Sequence, residues 1–357
     1  MALASPIYDR LSINGPLLQG TFKIGSGDNG LNSVMDQYMN IGSDGQTMDK
    51  LFNEFKHLYN KSYQTIEHEQ RSAKLFNKRL TFVLENNLKA LYGQSSYTMT
   101  IHGGSDLPLE EILVQPPGRW PSVPKLIEST NNDSTYINSW IFDYRSAHQV
   151  TPIVNQGGCG ACVYFAAAAC IESFWARKGH GLIHLSPQQL NDCARDEAHG
   201  NHGCQHGGGT FIPTFNYIRS HGLTSMQNYP YVARDENCRR DKESQTVARI
   251  GNWHPMTPHG DEMALERSVH DHGPNAVAIH VSDQLAHYRA GIFDGECHGG
   301  RNHAVLVIGY GWDDGQHIDY WIIKNQWGDG WGEHGFLRLR RKHGNMCDVA
   351  GDAVWVE

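Results

Sequence analysis

The chain runs to 357 residues, 39% hydrophobic and 19% charged, with a formal net charge of −8. That length holds two or three domain-sized units with sizeable cores. The acidic balance argues against a nucleic-acid partner, which would need a basic stripe, and the longest apolar run, Val163–Ile171, is too short for a membrane span.

Residues 1–48 are rich in Gly, Ser, Asn and Asp without a sustained period, which predicts a weakly ordered leader. Met1–Gly20 lacks the basic start and apolar centre of a secretory signal. A compact unit is expected over 49–115. Leu51, Phe52, Phe55 and Leu58 recur at helical spacing, Asn60-Lys61-Ser62 breaks the run, and a second amphipathic helix is predicted over roughly Ile66–Leu91. A short extended piece at Tyr97–Ile101, a Gly103-Gly104 turn and a small helix near Leu107–Leu113 follow. Residues 116–137, with Pro116-Pro117-Gly118 and the polar run Ser129–Thr135, predict a linker. Asn60 and Asn132 head glycosylation sequons, meaningful only in an exported chain.

A second unit is expected over 138–357. A glycine-rich turn, Gln156–Ala161, leads into an alanine-rich helix over 162–178 that stops at Gly179. Shorter helices are predicted near 186–193 and 209–220. After Ile250 the texture turns to strands at Ala276–Val281, His303–Tyr310, Tyr320–Lys324 and Gly335–Arg340. Helices first and strands second predict an α+β unit, with a helical and a β lobe facing each other across a cleft. Cys159, Cys193, Cys204, Cys238, Cys297 and Cys347 lie near turn signals, like a disulfide framework formed in an oxidising compartment. Their spacing does not choose among the pairings.

Cys162 falls on the first turn of the long helix, where unpaired N–H groups and the helix dipole favour an anion. A nucleophile is the functional reading and a buried structural thiol the bland one. Such a nucleophile needs a base, and the base needs an orienting group. Among 21 histidines, His303 alone opens a clean strand. Asn325 ends the next strand; if the two strands pair, its amide reaches the imidazole, and Trp327 could shield that bond. Taken singly, each reads as a satisfied surface His or a turn Asn.

Together these residues reach a family. Val150–Cys162, Asn302-His303-Ala304-Val305 and Lys324–Gly332 closely resemble the three signature blocks of papain-like cysteine peptidases of the cathepsin L-like group. The resemblance runs from Asp143-Tyr144-Arg145 to the C-terminus, and Tyr231-Val232-Ala233-Arg234 ahead of Cys238 is similar to the group 1 mite allergens. The upstream unit resembles the family's inhibitory propeptide: Glu67, Arg71 and Asn86 fall on its helix signature, with Leu75, Lys78 and Phe82 as substitutions, and Ser105–Glu111 resembles its following motif. The resemblance implies a two-lobed fold, with a helical left lobe and an antiparallel β-barrel-like right lobe behind a helical propeptide. It implies a zymogen of an endopeptidase, Cys162 as thiolate nucleophile, His303 as its cationic partner, Asn325 fixing the ring, and Gln156 with the Cys162 N–H as oxyanion hole. Gly207 and Gly208, or Gly208 and Gly209 because the glycine block carries an extra residue, would lie along the substrate; Ala278 would wall a specificity pocket, Trp327 line the site, and Asp352 sit at the pocket floor or else be a solvated surface acid.

The family's bridges map to Cys159–Cys204, Cys193–Cys238 and Cys297–Cys347, leaving Cys170 as a buried thiol. Expected partners are protein or peptide substrates, the chain's own propeptide and cystatin-type inhibitors, in a lysosome or outside the cell. Cleavage is expected between Ser129 and Asn138, promoted by acid through Asp106, Glu110 and Glu111. No cofactor is implied. His199, His202 and His206 lack a thiolate or carboxylate at ligand spacing, so no metal is expected. Val163 replaces the family's aromatic residue after the nucleophile, and Gln326 its serine after the asparagine. Those departures keep open a weakened homologue that binds rather than cleaves. Acyl transfer to an amine shares Cys–His chemistry without these blocks.

Overall fold

The computed structural model describes residues 45–113 and 141–357. Most of the expected leader, the linker 116–137, the Asn132 sequon and the cleavage window lie outside the described residues. In chain order the elements are α1 (Gly45–Leu58), α2 (Ile66–Leu91), β1 (Tyr97–Met99), α3 (Leu109–Leu113), β2 (Ile141–Asp143), α4 (Cys162–Arg177), α5 (Pro187–Cys193), α6 (Phe211–His221), α7 (Arg240–Glu243), β3 (Trp253–Pro255), α8 (Glu262–His272), β4 (Asn275–Ile279), α9 (Asp283–Ala286), β5 (Tyr288–Phe293), β6 (His303–Asp313), β7 (Ile318–Lys324), β8 (Phe336–Arg340) and β9 (Asp352–Val356). They form two compact units. One gathers residues 45–112 with Asp283–Gly291, and the other residues 141–282 with 292–357.

In the first unit, α2 starts where Thr65 Oγ1 accepts the His68 N–H at 3.1 Å. Its apolar stripe, Phe76, Leu80, Val83, Leu84 and Leu88, is buried, and Phe76 meets Phe55 of α1 at 4.7 Å between ring centroids. Burying each such side chain contributes about 1.5–3 kcal/mol. Asn86 and Asn87 donate to the carbonyls of Tyr97 and Met99, both at 2.9 Å, fastening β1 to the helix. β1 pairs antiparallel with β5 through Tyr97↔Gly291 and Thr98↔Ala290. Arg79, 1% exposed, holds Asp283 at 2.7 Å and donates to the carbonyls of Gly104 and Leu107.

The second unit is built on α4. Alanines let this helix lie close to the sheet, and it is buried on nearly every face from Cys162 to Phe174. One hydrophobic core joins it to Leu190, Phe211 and Phe215 on the helical side and to Ala278, Ala304, Leu306 and Ile322 on the sheet. The strand order is β8-β7-β6-β4-β9-β3. Long β6 serves two partners on one edge: its first residues pair with β4 and Gly309–Gly311 with β2. Ile292 and Phe293 of β5 pair parallel with Arg338 and Leu339 of β8. The α+β expectation therefore stands, but the barrel-like one is corrected: the sheet is open and not wholly antiparallel. Helix α8, in a stretch read as strands, was signalled by Asp261, whose carboxylate caps Met263 and Ala264 N–H groups, and by Gly273 at its end. Disulfides join Cys159–Cys204, Cys193–Cys238 and Cys297–Cys347. Cys170 is a buried thiol that burial pushes up to about 12.

Candidate active site

Cys162 opens α4 and is fully buried. Ala161 offers no side-chain cap, so the first-turn N–H groups are left to the thiol, which also lies against the Ala304 N–H. The helix terminus alone predicts a thiolate. Burial outweighs it and pushes the thiol up to about 11.

His303 begins β6, opposite Ile279 of β4, and is 1% exposed. Its Nε2 lies 2.9 Å from Asn325 Oδ1. That oxygen also accepts the Gln326 N–H at 2.9 Å, which settles which end of the amide faces the ring. Nε2 therefore carries the proton and donates, and Nδ1 keeps its lone pair. Nδ1 is sealed from solvent with no hydrogen-bond partner among the described residues. The Trp327 ring stands 4.6 Å from the imidazole and meets Trp331 edge-on at 5.1 Å. Burial pushes His303 down to about 4, against the Asn325 bond. Burial thus pushes both groups toward their neutral forms, against the ion pair that the resemblance implies.

Gln156 is 1% exposed. Its Nε2 donates to Cys159 O at 3.0 Å, and the amide carries a second N–H for an incoming oxygen. Its backbone is clamped: the N–H donates to Gln326 O at 2.8 Å, and the carbonyl accepts the Tyr231 hydroxyl at 2.7 Å. Tyr231 packs edge-on against Phe165 at 4.7 Å. Tyr231 as a brace was missed, although a tyrosine just ahead of a half-cystine was visible.

The glycine block separates its members. A Cβ on Gly209 would stand 2.6 Å from the Tyr164 ring and 2.8 Å from Asn201 Oδ1, so this glycine faces the interior. Gly208 donates to Gly203 O at 2.8 Å and accepts from His202 N at 2.9 Å. Gly207, with φ +108°, has room for a Cβ, which leaves its face open to a chain lying alongside. Ala278 is fully buried on β4, between Ala304 and Asp352 in register. Asp352 is 2% exposed and pairs with Arg301 at 2.7 Å, so it is neither a solvated surface acid nor a lone charge. His199 and His206 each bond a separate carboxylate, Asp196 at 2.9 Å and Asp235 at 2.7 Å. Among the described residues the one group close enough to share an ion is Cys193, Cys238 and Glu243, and its two sulfurs form a disulfide.

Comparison with known proteins gives the same picture. The family described as papain family cysteine protease matches residues 139–356, and the cathepsin propeptide inhibitor domain (I29) matches residues 52–112. Mouse cathepsin S is 34% identical over 317 residues, 87% of this chain and 91% of that protein. The structure of digestive procathepsin L 3 from the larval midgut of Tenebrio molitor is 35% identical with a TM-score of 0.73, covering 87% of this chain and 98% of that one. A structure from a study of the mite allergens Blo t 1 and Der p 1 is 28% identical with a TM-score of 0.72, covering 85% and 98%.

Proposed function

The chain belongs to the papain family of cysteine proteases and is a cysteine-type peptidase made as a zymogen, and we propose that Cys162 is its nucleophile and His303 its acid–base partner. The observation that carries this reading is the buried His303 ring, tethered at Nε2 and unpartnered at Nδ1, beside the strand residue whose N–H reaches the Cys162 thiol. When a peptide carbonyl arrives, the thiol proton passes to Nδ1 and the sulfur attacks the carbonyl carbon. The developing oxyanion takes the second Gln156 N–H and the Cys162 N–H, a contribution of about 3–4 kcal/mol for such a donor. His303 then protonates the leaving amine, Asn325 holding the ring in plane. Water, deprotonated by His303, hydrolyses the acyl-enzyme and returns the thiol.

The substrate runs past Gly207 as an extra strand. Ala278 walls the pocket for the residue two before the scissile bond, and because Arg301 neutralises Asp352 that pocket favours an apolar residue over a basic one. Endopeptidase action, cystatin-type inhibitors and a lysosomal or extracellular setting complete the reading. Three disulfides support an oxidising compartment, and no described helix is long and apolar enough to cross a membrane.

Titration of the processed enzyme with an epoxide thiol inhibitor, read by mass spectrometry, is expected to give one label per chain on Cys162, lost in Cys162→Ala and His303→Ala. No label on a folded, propeptide-free chain would overturn the assignment and leave a binding protein.

A further inference from the structure

Gln326 touches three groups of the proposed machinery, Gln156, Asn325 and His303. Its carbonyl accepts the Gln156 N–H at 2.8 Å, and its own N–H donates to Asn325 Oδ1 at 2.9 Å. Any residue could make those two bonds. Its side chain makes two that belong to glutamine: Nε2 donates to Ala304 O at 2.8 Å and lies 3.2 Å from His303 Nε2. Ala304 O accepts only, so the NH2 end of the amide, and not Oε1, faces the ring. The side chain is 4% exposed, and water does not screen it.

At His303 Nε2 two neighbours therefore oppose each other. Asn325 Oδ1 requires a proton on that nitrogen, whereas the Gln326 amide presents its own positive end to the same atom. The opposition is mild for neutral imidazole and stronger once the ring is cationic. We propose that Gln326 is a positioning residue that disfavours the imidazolium form of His303 and so sets the acid limit of the Cys162–His303 pair. This deepens the proposed function and rests on it, since the imidazolium must survive to protonate the leaving amine.

Few other charges bear on the ring. Lys324, one residue before Asn325, sends its Nζ to Thr151 at 2.6 Å and has Glu172 of α4 as counter-charge. On the β4 side, His280 bonds Gly300 O at 2.8 Å, and Arg301 is held by Asp348 and Asp352. None of these bonds His303.

The test compares kcat/KM against pH on one peptide substrate for the processed wild-type enzyme, Gln326→Ser and Gln326→Met. Methionine keeps the length and removes the N–H; serine keeps a small polar group, so one of the two serves if the other fails to fold, as thermal melting will tell. The acid midpoint is expected to rise by about one pH unit in both. A midpoint that stays put while only the size of kcat or KM changes would make Gln326 a packing residue, and a fall would show that it supports the imidazolium; either overturns the proposal. Cys162→Ala is the control. Turnover retained there removes the pair and the proposal together, whereas an inactive Cys162→Ala with unshifted midpoints rejects only the role of Gln326.

Discussion

Replacing Glu172 by leucine is expected to cost the folded chain about 3–5 kcal/mol, because it strands the ammonium of Lys324 inside the protein. Glu172 is 3% exposed and Lys324 4%. Thr151 links them, its hydroxyl donating to the carboxylate and accepting from Lys324 Nζ at 2.6 Å. The Leu185 N–H donates to the other carboxylate oxygen at 2.8 Å. Burial alone would raise the Glu172 carboxyl; the His184 bond, the Lys324 charge and the Thr151 hydroxyl hold it below the ordinary range. Leucine removes two acceptor bonds at once and leaves the Leu185 N–H orphaned. The double replacement Glu172→Leu with Lys324→Met should recover most of the loss, since an apolar pair of similar volume is often as stable as a buried ion pair. Thermal melting of the single and double variants checks this. A single-variant loss below about 1 kcal/mol would mean that the pair contributes little and that Lys324 sheds its proton cheaply. Lys324 also precedes Asn325, so the single variant should lose inhibitor labelling as the tether to His303 loosens.

Much of this was readable before any coordinates. Ile66–Leu91 declared itself by helical spacing with Thr65 as its cap, and Cys162 by the break between a glycine turn and an alanine-rich helix. Asn325 followed from pairing two adjacent strands, because strand ends that pair lie side by side. What failed to show depends on contacts between residues far apart in sequence. Nothing local singles out Arg79 among the cations of its helix, yet it is buried against Asp283, 204 residues away in the chain and at 2.7 Å in space. Gln326 stood out in the sequence as a departure that could weaken the site; what the sequence hid is its 3.2 Å contact with a ring 23 residues upstream. The parallel pairing of β5 with β8 leaves no local mark, since parallel partners share no turn. The pull of burial on the candidate pair was hidden for a different reason. A helix N-terminus is legible in sequence, but the depth at which it lies is not.

Lowering the pH from 6.5 to 4.5 is expected to take about 2–3 kcal/mol from the first unit through His287 alone, with His102 adding to the loss. His287 is fully buried: its Nδ1 bonds Asp283 O at 2.7 Å, its Nε2 bonds Ser105 Oγ at 3.0 Å, and Phe82 meets it edge-on at 5.7 Å. The His102 ring stacks on it at 4.5 Å, with Nδ1 accepting the Gly104 N–H at 3.1 Å and Nε2 sealed without a partner among the described residues. Burial pushes His287 down to about 3, helped by Arg79 and resisted by the Asp283 carbonyl. Burial also drives His102 well below its ordinary range, helped by His287, Arg79 and Lys61 and resisted by Asp106. Both rings are therefore harder to protonate folded than unfolded. The stability they confer is whole above the ordinary histidine value near 6.5 and drains as pH falls toward the folded value. Glu110 and Glu111, expected to carry the acid response, are exposed on α3. Asp106 is buried, paired with Lys61 at 2.8 Å and bonded by the Tyr63 hydroxyl at 2.9 Å. The full-length Cys162→Ala chain, which does not process itself, allows the measurement: hydrogen exchange in α2 and β1 at pH 6.5 and 4.5, corrected for intrinsic rates. His102→Gln with His287→Gln should flatten the loss of protection, and equal losses with and without the histidines would defeat the argument. The Glu172 carboxyl in the second unit, held below its ordinary value of 4.5, keeps its contribution across the same interval, because a depressed carboxylate loses stability only as pH falls below that ordinary value. Mild acid therefore loosens the propeptide-bearing unit while leaving the buried pair beside Asn325 intact, which is the order of events a zymogen needs.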